Sequence, residues 1–235
     1  MTNAAETLIV MPARNESSHI GSVLSRIRQM YPELPVLVVN DASTDRTSEI
    51  ARTFAGVSVI DLPFWMGYGG ALQSAYKYAL AEGFESVVQM DADGQHDPAS
   101  IRDLLDQLSR ADLVLGSRFL NAKSRYPMSA FRRLGCRILS SMALLLTGIA
   151  ITDPTSGFQA LNRKAIEIAA QDYYPLDYPD LDVLILMHRH KMRVFECPVQ
   201  MHPAEDKLGM HQGLAVCYYG LKMTLSVLVM MLRKS

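Results

Sequence analysis

Short apolar runs alternate with longer segments of helical periodicity through the first half of the chain. The runs predicted as strands are residues 8–11, 36–39, 57–62, 87–90 and 113–116. The segments predicted as helices are residues 18–30, 44–54, 70–81 and 98–109. Strands joined through helices by short links form a parallel sheet with right-handed crossovers. The pattern therefore predicts an α/β fold, with a doubly wound, mostly parallel, twisted sheet flanked by helices.

The second half is less regular and ends in an apolar segment. Its predicted helices and strands are residues 132–147, 165–171 and 181–190, and segments within 153–161 and at 194–199. We expect one domain over residues 1–210 and a C-terminal apolar helix within 211–235. Residues 214–232 contain one charge, Lys222, and are followed by Arg233 and Lys234. This helix either packs on the core or lies on a membrane surface, and a full span is least favoured because Lys222 interrupts the apolar run.

Composition narrows the functional classes. The net charge of -1 gives no general attraction to nucleic acid, so we expect no nucleic-acid partner. Cys136, Cys197 and Cys217 are odd in number and lack CxxC spacing, which favours a reducing compartment over a disulfide framework or a cysteine zinc site. The first residues lack the apolar run of a signal peptide. We therefore expect a cytoplasmic protein.

Polar side chains follow three of the predicted strands. They are Asn15 and Glu16; Asp41, Ser43 and Asp45; and Asp91, Asp93 and Gln95. The carboxyl ends of parallel strands meet at one edge of the sheet, so these acids are expected to converge there. Such a group of acids is costly unless a cation neutralises it. Carboxylate and amide oxygens suit Mg²⁺ or Mn²⁺ that also holds a diphosphate.

Helix capping is the alternative explanation for some of these acids. Asp97 precedes Pro98 in a typical capping arrangement, and Ser43 and Asp45 precede a predicted helix. We adopt the capping interpretation for Asp97 and Asp45. It does not explain the acids of "MDADGQ", because one helix start does not need two further carboxylates upstream.

Several motifs together resemble a known family. They are "MPARNE", "VVNDASTDRT", "MGYGGALQSAY", "MDADGQHDP", "GSRF" and "DPTSGFQALNR". In this order the chain is similar, over residues 8–200, to family 2 glycosyltransferases of the GT-A fold, and most of all to the dolichyl-phosphate mannose synthase-like, polyprenyl-phosphate branch. The resemblance implies inverting, metal-dependent transfer of a sugar from a GDP- or UDP-linked donor to a polyprenyl phosphate.

The resemblance also implies roles for matching residues on the donor side. The nucleotide pocket would be lined by Pro12, Arg14, Glu16, Asp41 and Asp91. Within it, Asp41 would contact the base, and Asp91 would help to close the pocket and lie near or on the metal. Asp93 and Gln95 would hold the metal, Mg²⁺ or Mn²⁺, and the diphosphate.

On the acceptor side, the resemblance makes Arg118 and Arg132 ligands of the acceptor phosphate. Two guanidiniums can grip one phosphate through bidentate hydrogen bonds. The alternative is that Arg132 and Arg133 are solvated charges at a helix start. If the acceptor were a hydroxyl instead, a carboxylate base would be required, and Asp180 and Asp182 are the candidates. Both could equally be solvated caps of the helix that begins near residue 181.

The chain departs from the family pattern at several positions. Trp65 stands where asparagine is usual, Tyr68 where lysine is usual, and Arg14 replaces an aromatic or small residue. The last loop reads "MHPAEDKLGMHQG", without the usual arginine and glycine-serine pair. Two other functions stay open: transfer to a saccharide or small-molecule hydroxyl, and a non-catalytic sugar-nucleotide-binding subunit. A membrane surface, a membrane-protein partner and an oligomer are also open.

Overall fold

The computed structural model describes residues 6–120, 128, 130–176 and 179–203, without the side chains of residues 130–132. Its strands are β1 (Thr7–Ala13), β2 (Val36–Asn40), β3 (Val57–Asp61), β4 (Ser86–Gln89), β5 (Leu113–Ser117), β6 (Gln159–Asn162) and β7 (Val194–Pro198). Its helices are α1 (Ile20–Met30), α2 (Thr47–Arg52), α3 (Tyr68–Ala81), α4 (Ile101–Gln107), α5 (Ala130–Thr147), α6 (Arg163–Ala169) and α7 (Leu181–Arg189). A 3₁₀ turn, Pro98–Ser100, precedes α4. The predicted elements that fall within the described residues are confirmed, with ends shifted by a few residues.

The strands form one sheet in the order β3-β2-β1-β4-β6-β5-β7. β1 pairs in parallel with β2 and β4, and β2 pairs in parallel with β3. β6 runs antiparallel to both β4 and β5, while β5 and β7 are parallel. The predicted mostly parallel α/β sheet is therefore confirmed, with β6 as its reversed strand.

Helices cover both faces of the sheet, which explains why the central strands are continuous apolar runs. Every residue of β1 and β2 is buried. Successive side chains of β1 enter opposite cores: Leu8 and Val10 pack with α3, α6 and α7, while Ile9 and Met11 pack with α1 and α4. This alternation follows from the two-residue period of a strand.

The strand directions bring many loops to one edge of the sheet. The carboxyl ends of β1 to β5 and β7 lie there, and because β6 is reversed, the loop that precedes it lies there too. Asp97 caps the 3₁₀ turn at this edge, since its carboxylate accepts a hydrogen bond from Ala99 N at 3.0 Å. The predicted capping role of Asp97 is confirmed.

The C-terminal helix expected within residues 211–235 lies outside the described residues, so the division into domains stays a prediction. Within the described part of the chain, no helix combines the length and apolar character that a bilayer span requires.

Candidate active site

Asp41 follows β2 and fixes the segment that leads into α3. Its Oδ1 accepts a hydrogen bond from Met66 N at 2.7 Å, and its Oδ2 accepts one from Gly67 N at 3.0 Å. The side chain is 4% exposed, and Asp41 N donates to Ala13 O at the end of β1. Asp41 therefore ties the ends of β1 and β2 to the loop after β3. The predicted contact of Asp41 with a base stays a prediction.

Asp91 is held by Tyr68, which directly follows the two residues that bind Asp41. The Tyr68 hydroxyl donates to Asp91 Oδ1 at 2.7 Å and accepts from Gln89 Nε2 at 3.1 Å. Behind it, the Tyr76 hydroxyl donates to Gln89 Oε1 at 2.6 Å. Burial, followed by the adjacent Asp91 carboxylate, raises the pKa of Tyr68 well above its ordinary value, so the hydroxyl stays a donor. Residues 66–68 thus contact both Asp41 and Asp91.

His96 holds the Asp91 loop against the core. Its Nδ1 accepts a hydrogen bond from Asp91 N at 3.0 Å, and its Nε2 lies 3.6 Å from Asp91 Oδ2. The ring is 4% exposed and stacks on Phe158, with centroids 4.8 Å apart and an interplanar angle of 10°. A Cβ at Gly157 would approach the Tyr68 hydroxyl to 2.7 Å and Asp91 Oδ2 to 3.3 Å, so this glycine leaves room for the carboxylate.

Asp93 and Gln95 form the exposed end of the same loop. Asp93 Oδ1 accepts from Gln95 N at 3.0 Å, and its Oδ2 accepts a short bond from Gln95 Nε2. Gly94, between them, has a φ of 81°, which lets the loop turn back. Both polar side chains are partly exposed. Across the described ranges, no group of three or more histidine, cysteine, aspartate or glutamate side chains is placed to hold a metal ion.

The loop after β1 packs against the loop after β2. Glu16 is buried, its N donates to Thr47 Oγ1 at 2.8 Å, and its Oε2 lies 3.3 Å from His19 Nδ1. Asp45 accepts from Ser17 N and Thr47 N, both at 3.0 Å. Desolvation acts to raise the pKa of Asp45, but hydrogen bonds from the side chains and the backbone N–H groups of Thr47 and Ser17 outweigh it and lower the pKa to about 2. Asp45 therefore binds the N–H of the first residue of α2, in line with the predicted capping role, although Arg46 occupies the N-cap position itself.

Two further residues assigned to the nucleotide pocket differ in exposure. Pro12 is a buried residue of β1 that lies opposite Val39 in β2. Arg14 is exposed, and its guanidinium carbon lies 4.6 Å from the centre of the Trp65 ring. The contact joins the loop after β1 to the loop after β3.

Arg118 follows β5 and is paired with a buried acid. Its Nε and Nη2 donate to the two carboxylate oxygens of Asp153 at 2.7 and 2.6 Å, and Nη2 also donates to Thr155 Oγ1 at 3.0 Å. Arg118 is 8% exposed and Asp153 is fully buried. Glu196 accepts from Asp153 N at 2.7 Å, and burial, countered by such bonds, raises its pKa. A structural pair therefore orients the guanidinium that we assigned to the acceptor phosphate.

The other acceptor-side residues fall in different places. Arg132 lies in the first turn of α5, and its side chain is outside the described residues. Asp182 lies in the first turn of α7, is 1% exposed, and accepts from Val183 N at 2.9 Å. The solvated-cap interpretation is therefore wrong for Asp182. Asp180 occupies the N-cap position of α7 but makes no capping hydrogen bond with its side chain.

Sequence reasoning did not assign roles to three residues that shape this edge. In the sequence, Tyr68 stands out only because lysine is usual at its position, and His96 only as part of the quoted "MDADGQHDP" motif. Asp153 lies within the quoted "DPTSGFQALNR" motif, which was the available signal. Its pairing with Arg118 joins residues 35 positions apart, a separation that single-sequence patterns do not resolve.

Comparison with known proteins gives one family and several similar chains. The family described as "Glycosyl transferase family 2" matches residues 8–168. Undecaprenyl-phosphate mannosyltransferase of Micrococcus luteus is 31% identical over 209 residues, which cover 86% of this chain and 85% of that protein. Polyprenol monophosphomannose synthase of Mycolicibacterium smegmatis is 30% identical over 167 residues, which cover 68% of this chain and 63% of that protein.

Solved structures share the fold. Glucosyl-3-phosphoglycerate synthase from Mycobacterium tuberculosis, crystallised with Mn²⁺, uridine diphosphate and phosphoglyceric acid, superposes with a TM-score of 0.73 at 18% identity. The match covers 98% of this chain and 80% of that chain. At this identity the likeness concerns the fold, and it confirms the predicted GT-A architecture.

Proposed function

The chain belongs to glycosyl transferase family 2, and from that premise we propose that it transfers a sugar from a GDP- or UDP-linked donor to a polyprenyl phosphate, with inversion. As a member of that family it is a glycosyltransferase. The names of its relatives support a lipid-phosphate acceptor, since two of them are an undecaprenyl-phosphate mannosyltransferase and a polyprenol monophosphomannose synthase. The observation that carries the proposal is that residues 66–68 contact both Asp41 and Asp91 at the edge where Asp93 also lies.

The donor side of the proposal is a nucleotide pocket bordered by a divalent cation. Asp91, Asp93 and Gln95 offer oxygen donors of the kind that Mg²⁺ and Mn²⁺ prefer. Their donor set fits such an ion, because Mg²⁺ is commonly held by one or two carboxylates together with substrate phosphates. When bound, the cation supplies neutralisation of charge on the departing nucleoside diphosphate. Tyr68 and His96 keep Asp91 directed at this position.

The acceptor side uses arginines to bind a phosphate. Arg118 is oriented by Asp153, which leaves its planar guanidinium in one fixed position at the carboxyl edge. We assign the second phosphate contact to Arg132 at the start of α5. A phosphate monoester is already ionised at neutral pH, so these residues need to orient the attacking oxygen rather than to remove a proton.

A base is required only in the alternative in which a hydroxyl accepts the sugar. The candidate for that role, Asp182, is buried in the core beside Val183 and Leu184. Its burial supports a structural role and therefore favours the phosphate acceptor. A lipid acceptor would bring the enzyme to a cytosolic membrane face, and we propose peripheral association there, through the C-terminal segment or a membrane-protein partner.

Transfer of labelled sugar into lipid tests the proposal. The full chain is incubated with Mg²⁺ or Mn²⁺, undecaprenyl phosphate and a panel of radiolabelled GDP- and UDP-sugars, followed by extraction into organic solvent. We expect label in the organic phase with one donor, and a loss on the order of 100-fold or more in Asp93→Asn, because charge stabilisation in the transition state is lost. Asp106→Asn, an exposed acid of α4, serves as the matched control and is expected to match wild type.

Two outcomes would contradict the proposal. Label that stays in the aqueous phase on an added saccharide would favour the hydroxyl acceptor. Equal organic-phase label in wild type and Asp93→Asn would remove the assigned role of Asp93.

A further inference from the structure

Two large aromatic side chains stand in solvent at the active edge. Phe64 and Trp65, in the loop between β3 and α3, are each 64% exposed. Large aromatic side chains exposed next to each other commonly mark a surface that binds a ligand or a partner. Because both belong to the loop that binds Asp41, their exposure concerns the donor side of the site.

Trp65 differs from Phe64 in its contacts. It immediately precedes Met66 and Gly67, the two residues whose N–H groups hold the Asp41 carboxylate. The guanidinium of Arg14 lies over its ring at 4.6 Å. Trp65 therefore lies beside the ends of β1 and β2, in contact with a residue of the loop after β1 and next to the backbone that Asp41 holds.

We infer that Trp65 is the stacking platform for the nucleobase of the donor, with Arg14 bordering the same slot. The inference rests on the proposed function and names a residue that determines how the base is held. Three features support it. An indole offers the largest π-face among side chains, a nucleobase stacks on such a face whatever its identity, and a guanidinium stacks on either ring.

The edge of a nucleobase also carries polar groups that need hydrogen-bond partners. Asp41 accepts hydrogen bonds from the N–H groups of the two residues that follow Trp65, so its carboxylate oxygens lie close to the indole. Stacking on Trp65 would therefore place the rim of a base near a hydrogen-bond acceptor. Stacking supplies affinity for any base, and selection among bases would come from the polar groups around the slot.

The chain offers a direct optical test, because Trp65 is its single tryptophan. Selective excitation of indole in the full chain, with Mg²⁺ present, is followed during titration with uridine, guanosine or adenosine diphosphate and, separately, with inorganic pyrophosphate. We expect saturable quenching by at least one nucleoside diphosphate and none by pyrophosphate. Phe64→Ala removes the equally exposed neighbouring ring but keeps Trp65, so the quenching of this variant is expected to match that of wild type.

Calorimetry of the variants supplies a second readout. Trp65→Ala is expected to raise the Kd for the nucleoside diphosphate about tenfold, since one base–aromatic stack is removed. Trp65→Phe should restore most of the affinity because it keeps a ring. The Kd for pyrophosphate should be the same in wild type and both variants.

The outcomes separate this inference from the proposed function. If wild type binds a nucleoside diphosphate and Trp65→Ala binds it equally well, the stacking inference fails and the proposed function stands. If wild type binds none of the nucleotides, the proposed function fails as well. A third result would also overturn the inference: Trp65→Ala abolishes binding to anionic lipid vesicles but leaves nucleotide affinity unchanged, which would assign the ring to a membrane surface.

Discussion

Asp112, at one edge of the sheet, and Asp41 and Asp93, at the other, differ in the groups that hold their carboxylates. At the amino edge, Asp112 precedes β5 and accepts from Arg193 N at 2.8 Å, from Arg193 Nε at 3.2 Å and from Asn162 Nδ2 at 2.8 Å. At the carboxyl edge, Asp41 accepts from backbone N–H groups and Asp93 accepts from Gln95. Asp112 is neutralised by a cation of the protein, whereas Asp41 and Asp93 are oriented by neutral donors.

This difference separates structural from functional charge. A neutral N–H fixes the direction of a carboxylate without cancelling its charge, so the negative charge remains for a cation that arrives with the substrate. An arginine in the same position would cancel that charge permanently. The contrast predicts that variants of a cation-paired aspartate such as Asp112 change stability alone, whereas variants of Asp41 and Asp93 change substrate binding and turnover.

Asp153 gives the strictest test of the contrast, because it lies at the carboxyl edge but is paired with an arginine, as Asp112 is. Asp153→Asn leaves the guanidinium of Arg118 buried without its charged partner, which we expect to cost about 3–5 kcal/mol of unfolding free energy. Urea denaturation measures the loss.

The control for that variant is an ion pair in solvent. Glu49→Gln breaks the ion pair with Arg46, in which the two side chains are 69% and 79% exposed, and should leave the unfolding free energy nearly unchanged. Equal effects of Asp153→Asn and Glu49→Gln would show that the buried pair is not structural.

Asp112→Asn is expected to have the next largest effect, and only on stability. Desolvation acts to raise the pKa of Asp112, but hydrogen bonds from Arg193 and Asn162 outweigh it and lower the pKa from 3.8 to about 2. A lowered folded-state pKa contributes stability above the unfolded value and loses it as pH falls toward the folded value. The variant should lose about 2 kcal/mol at neutral pH, and the difference should shrink as pH falls from about 4 toward about 2.

Denaturation of both proteins across this pH range measures the difference, alongside turnover at neutral pH. Turnover per folded molecule should match wild type. A stability difference that stays constant with pH, or a large loss of turnover, would contradict the structural role assigned to Asp112.

Tyr68→Phe is expected to give the smallest effect, and it sharpens the carboxyl-edge side of the contrast. The variant removes the hydroxyl between Gln89 and Asp91, which should cost about 1 kcal/mol of stability and reduce kcat several-fold as Asp91 loses its orientation. Tyr78→Phe, on the same helix, is the matched control. Steady-state kinetics in which both variants behave alike would deny Tyr68 a role in orienting Asp91.

The sequence predicted the parts of this account that depend on local pattern. Continuous apolar runs indicated β1, β2 and β4, because a strand that is covered on both faces has apolar side chains on both and shows no alternation with polar ones. Polar residues at the strand ends then indicated one active edge. The reversal of β6 was not predicted, since strand direction is decided by pairing partners that are distant in the chain.

The side-chain partners at the site could not be predicted for a related reason. Tyr68 and Asp91 are 23 positions apart, and Arg118 and Asp153 are 35 apart. No local periodicity records such contacts, so the sequence indicated these residues but not what each one binds. The exposure of Trp65 could not be predicted either, because it depends on how the loops after β1 and β3 meet.

The dependence of nucleotide affinity on metal is the most direct test of whether the carboxyl-edge aspartates hold a cation. Calorimetry measures the Kd of a nucleoside diphosphate for wild type and for Asp93→Asn, each with and without Mn²⁺. If the carboxyl-edge aspartates hold a cation that binds diphosphate, Mn²⁺ will tighten binding to wild type by about tenfold or more and will have little effect on Asp93→Asn. Equal tightening in both proteins would contradict the account.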